Sequence, residues 1–173
     1  DEKGGKIHGW DFRTKKKAKA MVLFFHGNAE NITTHFRSVY WMLKENIDLA
    51  LFDYRGYGQS HFEDSSGPSP ESTIEDAKSM LRWAHQESIQ RKIPLFVLGQ
   101  SLGGAVAITA VAEIKDQIQV RGLFVDSTFY SYQEAGRSAL SKHWVTWLFQ
   151  PFAYLVVSDE WAPEERVRNL API

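Results

Sequence analysis

Four short apolar runs, at residues 21–25, 47–54, 94–98 and 120–125, alternate with stretches patterned as helices. This alternation is the strongest constraint on the fold. Strands joined through helices need crossover connections, so they lie mainly parallel, and a parallel sheet needs helices over both faces. The reading is therefore α/β, a mostly parallel sheet between two helical layers. A chain of 173 residues with 43% apolar and 24% charged residues has the balance of one globular domain, which excludes a disordered, collagen-like or coiled-coil chain. Lys and Arg number 20 against 21 for Asp and Glu, a net charge of -1, so no global field favours nucleic acid or an anionic membrane.

Residues 7–12 alternate weakly as a strand, and the basic run at 13–19 reads as a solvated turn. Phe36, Val39, Tyr40 and Leu43 share one helical face, which predicts a helix over 33–45. Ser72 and Glu75 form an S-x-x-E start for a second helix, lined by Ile74, Ala77, Leu81 and Ala84. Residues 102–114 form a third helix, rich in small side chains, and residues 163–170 a later one. From 129 to 161 the alternation breaks and aromatics crowd in, with Phe129, Tyr132, Trp144, Trp147, Phe152 and Trp161 among them. This segment is expected to be a mostly helical, cap-like insertion over the carboxyl edge of the sheet. It divides a first part of the core (1–128) from the start of a second (162–173).

Cysteine is absent, which removes a disulfide framework, a thiolate metal site and a cysteine nucleophile together. The six histidines show no H-x-x-x-H pair, so neither a metal nor any other cofactor is implied. The most apolar stretch, 144–157, carries Thr146, Gln150 and Pro151 and falls short of the roughly 18 to 20 apolar residues of a spanning helix. The chain begins at Asp1 rather than Met, so membrane association is expected only through a segment preceding it.

The chemistry is concentrated in Gly99-Gln100-Ser101-Leu102-Gly103, a G-x-S-x-G set between an apolar strand and a helix. Such a turn pushes Ser101 out at the carboxyl edge of the sheet. The glycines are needed because backbones approach closely there. The helix that follows begins at this point, so the Leu102 N–H and the positive end of the helix face any oxyanion formed on a substrate. A second donor, the Asn28 N–H, is expected from His26-Gly27-Asn28 at the end of an earlier strand, with the Asn28 side chain as an extra donor. His26 reads as a buried histidine tying down that loop.

The ordered set Phe25-His26-Gly27-Asn28, Asp53-Tyr54-Arg55-Gly56-Tyr57-Gly58 and Gly99-Gln100-Ser101-Leu102-Gly103-Gly104 resembles the α/β-hydrolase superfamily, in its serine esterase, serine aminopeptidase-like and depalmitoylase-like branch. The resemblance extends back to Ile7-His8-Gly9-Trp10. It implies the α/β-hydrolase fold, Ser101 as nucleophile, Asn28 and Leu102 as oxyanion donors, and a small acyl ester or thioester as substrate. It also implies that Asp53 and Arg55 organise their loop, bonded to backbone or to each other.

A catalytic triad of this kind runs Ser, then Asp or Glu, then His. The family's acid follows a strand expected to begin at residues 170–173, so the acid and histidine are expected beyond Ile173, with the last strands and helices of the core. Within the chain, Asp126 is either an acid at a position some relatives use or a turn residue bonded to Ser127 or Thr128. Asp159 reads as a solvated loop residue, and His143 is the histidine that follows Ser101. A peptidase on the same fold would hold its substrate amine on acids such as Glu134 or Asp159-Glu160. A non-catalytic binding module would keep the fold without a working triad.

Overall fold

The computed structural model describes residues 5–29, 31–64, 66–141 and 158–170. A small antiparallel ribbon joins β1 (Gly5–Lys6) to β5 (His61–Phe62). The main sheet has the order β2-β4-β3-β6-β7, with β2 (Gly9–Phe12), β3 (Ala20–Phe25), β4 (Ile47–Phe52), β6 (Leu95–Gln100) and β7 (Gly122–Asp126). β2 runs antiparallel to β4, and the remaining pairings are parallel.

Alternation along each strand sorts its side chains onto two faces. Met21, Leu23 and Phe25 join Phe52, Leu95 and Val97 in a core covered by α2 (Pro70–Arg91) and α3 (Leu102–Ile114). Val22, Phe24, Leu49 and Leu51 turn to the other face, against Ile32 and Val39 of α1 (Ile32–Val39). The expected lining of α2 holds: Ile74, Ala77, Leu81 and Ala84 are all buried.

Two boundaries differ from the sequence pattern. The first helix starts under an Asn31 cap and tightens to 3-10 geometry over Tyr40–Glu45, ending at Asn46 in the left-handed region with φ 60. The second starts three residues before the expected S-x-x-E. Ser69 is its cap, Pro70 fills the first turn where a missing N–H costs nothing, and Ser72 closes the capping box from inside.

Beyond β7, α4 (Tyr132–Ser141) and α5 (Glu164–Arg168) are the described helices. Thr109 donates to the Trp161 carbonyl at 3.0 Å and Lys115 to that of Asn169 at 2.9 Å, seating residues 158–170 on α3. Asp159 is a tether rather than a solvated residue: it accepts from the Ser131 hydroxyl at 2.6 Å and the Gln133 N–H at 3.0 Å, at the start of α4. His143, Trp144, Trp147 and Phe152 lie outside the described residues, as does much of the expected cap.

Candidate active site

Strand register brings the candidate residues to one edge. Phe25 pairs with Gly99 and Gln100 with Asp126, so the chain leaves β3, β6 and β7 side by side at their carboxyl ends. Asn28, Ser101, Leu102 and Asp126 all lie on the loops at this edge.

Ser101 has φ 51 and ψ -118, a conformation that costs a side-chain-bearing residue about 1–3 kcal/mol. The surroundings hold it there. Its N–H donates to the Asp126 carbonyl at 2.8 Å, and its carbonyl accepts from the Thr128 hydroxyl at 2.8 Å and the Gly104 N–H at 3.0 Å. The flanking glycines are required by contact: a Cβ on Gly99 would lie 2.5 Å from the Gly103 oxygen, and one on Gly103 would overlap the Phe25 carbonyl. Leu102 is the first residue of α3, so its N–H has no partner within the helix and lies at the positive end of the helix dipole.

The neighbouring loop is fixed through His26. Its Nδ1 lies 2.7 Å from the Gly27 carbonyl, which assigns the proton to Nδ1. His26 is fully buried, so that carbonyl is turned into the protein. In a planar trans peptide the N–H points opposite to the carbonyl, and the Asn28 N–H is thereby turned outward. The Asn28 side chain accepts from the Tyr57 hydroxyl at 2.6 Å, which leaves its amide NH2 free to donate. Burial raises the Tyr57 pKa and keeps that hydroxyl a donor.

Asp53 and Arg55 bond across their loops, and among the described bonds neither pairs with the other. Asp53 accepts from the Ile32 N–H at 2.8 Å at the start of α1. A side chain on Gly58 would collide with this carboxylate. Arg55 instead pairs with Asp76 of α2: its Nε donates at 2.6 Å and its backbone N–H at 2.7 Å, with both residues buried. Asp126 has the bonds of a turn residue, accepting from Ser127 Oγ at 2.8 Å and Gln100 Nε2 at 3.1 Å.

Burial holds His26 below the ordinary value of 6.5, against an opposing pull from the Gly27 carbonyl. The unfolded chain then takes up a proton that the folded one resists. The resulting stability is present above pH 6.5 and is lost as pH falls towards the depressed folded value. Urea midpoints should therefore fall between pH 7.5 and 5.5, and His26→Gln should flatten that dependence. An unchanged slope in the variant would assign the effect to other groups.

A pocket of about 180 Å³ adjoins the site, lined by Tyr57, Pro68, Thr73, Leu102, Val106 and Tyr132. It opens beside Leu102, at the start of α3. A second cavity, about 810 Å³, lies at the opposite end of the strands against Pro94, Leu95 and Val120.

A mostly parallel sheet carrying a strained serine between strand and helix is the arrangement of an α/β-hydrolase. The chain belongs to the S33 serine aminopeptidase family, whose model matches residues 16–171. YfhR of Salmonella typhimurium is 30% identical over 182 residues, covering 98% of this chain and 58% of that protein. Protein bem46 of Schizosaccharomyces pombe is 32% identical over 121 residues, 68% of this chain and 38% of its own length. Among solved structures, a soluble variant of monoglyceride lipase from Saccharomyces cerevisiae, in complex with a substrate analog, shares the fold. It has a TM-score of 0.66 and 20% identity, covering 80% of this chain and 48% of its own. The chain thus spans little more than half the length of YfhR.

Proposed function

We propose that the full-length protein hydrolyses carboxylic esters or thioesters through an acyl-enzyme on Ser101. The observation that carries this reading is the strained Ser101 at the start of α3, beside a loop whose Asn28 N–H is turned outward. Ser101 Oγ attacks the carbonyl carbon and gives up its proton to a histidine. The carbonyl oxygen becomes an oxyanion bonded by the N–H groups of Asn28 and Leu102. Collapse expels the alcohol or thiol, which takes that proton, and water then cleaves the acyl-serine to release the acid. The histidine and its acid are assigned to the part of the protein beyond Ile173, and Asp126 to the turn. The pocket beside Leu102 is assigned to the acyl or alcohol group of the substrate.

A peptidase reading draws on the family description, serine aminopeptidase. Of the acids suited to a substrate amine, Asp159 is already bonded to Ser131 and Gln133, which favours the ester reading. A fluorophosphonate probe on the full-length protein is expected to add its phosphonyl mass to the peptide bearing Ser101. A folded sample that stays unlabelled would overturn the assignment and favour a non-catalytic module.

A further inference from the structure

We propose that Tyr57 is a positioning residue whose hydroxyl aims the side-chain amide of Asn28, so that its NH2 serves as a third donor to the oxyanion. The inference rests on the hydrolase reading and concerns how one residue of that site comes to carry two donors. The Tyr57 hydroxyl lies 2.6 Å from Asn28 Oδ1. Such a separation suits an O–H···O bond and is shorter than the roughly 2.9–3.0 Å usual for N–H···O, which sets the amide oxygen towards Tyr57 and the NH2 away from it. Among the described hydrogen bonds, this is the one made by the Asn28 side chain. The reacting serine is close by. A Cβ built on Gly27, the residue before Asn28, would lie 3.5 Å from Ser101 Cβ, and Tyr57 lines the pocket that opens beside Leu102. The amide is thus strung between the serine turn and the substrate pocket.

The two donors of Asn28 have separate anchors. His26 holds the Gly27 carbonyl at 2.7 Å and so turns the backbone N–H of Asn28 outward, whereas Tyr57 holds Oδ1. The tyrosine is itself fixed from several sides. Its N–H donates to the Tyr54 carbonyl at 2.8 Å, and its carbonyl accepts from the Ser60 N–H at 2.9 Å. Its ring stands edge-on to His26 at 5.5 Å and to Tyr54 at 5.8 Å. Gly56 and Gly58 flank it with φ 89 and 51, and a Cβ on Gly56 would come within 2.8 Å of Pro68. A turn built this tightly gives the hydroxyl one place to be. An oxyanion donor is useful only if it is held to within about half an ångström of its productive position, and losing one costs about 10²–10³ in kcat. Without the Tyr57 hydroxyl the amide is still present but free to rotate, which forfeits part of that. Because the oxyanion forms only in the transition state, the loss falls on kcat and leaves KM little changed.

The test is a double-mutant cycle on the full-length protein, using turnover of p-nitrophenyl esters and thermal melting. Asn28→Ala is expected to lower kcat about 10²-fold and Tyr57→Phe about ten-fold, each with KM within about two-fold. Tyr57→Phe keeps the ring that lines the pocket, so KM separates aiming of the amide from binding of the substrate. Melting temperatures should change little, because Asn28 is exposed and water can replace the lost bond. The double variant should be no slower than Asn28→Ala, since without the amide there is nothing left to aim. Asn28→Asp keeps an oxygen for Tyr57 but puts a carboxylate where the NH2 was, and should be at least as slow as Asn28→Ala. Multiplicative losses in the double variant would overturn the proposal. So would a rise in KM at constant kcat in Tyr57→Phe, or undiminished kcat in Asn28→Asp. If Tyr57→Phe fails to fold, Tyr57→Met, which also lacks the hydroxyl, takes its place in the cycle. Full turnover in Ser101→Ala would overturn the hydrolase reading and this inference with it. Loss of turnover in Ser101→Ala alongside undiminished Tyr57→Phe would overturn the inference alone.

Discussion

Replacing Ser101 by alanine in the full-length protein is expected to lower kcat/KM for ester substrates by about 10⁴- to 10⁶-fold while leaving the fold intact. Ser101 carries the one hydroxyl of the Gly99–Gly103 turn, so in this reading removing Oγ removes the acyl-enzyme itself. What remains is the residual rate supplied by binding and by the N–H groups of Asn28 and Leu102, which do not depend on the hydroxyl. The fold should survive because Ser101 is held through its backbone, by Asp126, Thr128 and Gly104, and these bonds are unaffected by the substitution. Steady-state turnover with a chromogenic ester, paired with circular dichroism melting, separates the two effects. A variant within ten-fold of the parent would show that another group carries the chemistry.

The second large effect is on stability. Asp76→Ala should cost about 3–5 kcal/mol, because it removes the buried carboxylate that accepts from both the Arg55 guanidinium and the Arg55 backbone N–H. Arg55 is 2% exposed and Asp76 0%, so water cannot take the partner's place. Asp76 also accepts the Arg55 backbone N–H, so the loss includes a buried main-chain donor. Burial pushes the Asp76 carboxyl above its ordinary range, even though bonds to Arg55 pull it down. Removing both charges together, as Arg55→Met with Asp76→Leu, should recover much of the loss, since apolar pairs of similar volume replace buried ion pairs well. Equilibrium urea unfolding of the three variants provides the check. A loss under about 1 kcal/mol for Asp76→Ala would mean that this carboxylate is not what holds Arg55 in place.

The strands and α3 were legible because both are written in short-range pattern. The run at 21–25 has no polar residue, and only glycine fits where β6 and α3 meet. Ser101, Leu102 and Asn28 could be placed for the same reason, as each sits at a fixed offset from a strand end. Partnerships across the fold left no such mark. Asp76 lies between Glu75 and Ala77 on a polar-looking helix, and nothing local says that this carboxylate turns inward to meet Arg55. Asp159 looked solvated because its partners, Ser131 and Gln133, lie more than 25 residues away. The start of α2 was recoverable in principle, because Ser69-Pro70 is itself a start signal and was outweighed by the S-x-x-E that follows.

The strain at Ser101 has a thermal consequence. A residue held about 1–3 kcal/mol above its relaxed conformation relaxes as soon as the bonds restraining it open, and such local openings need less energy than global unfolding. The loop bonds from Asp126 and Thr128 lie at the sheet edge, whereas the cores on both faces lie deep. On warming, the serine is expected to lose its aim while the strands are still paired, so turnover by the proposed hydrolase should fall before any spectroscopic signal reports the loss of the fold.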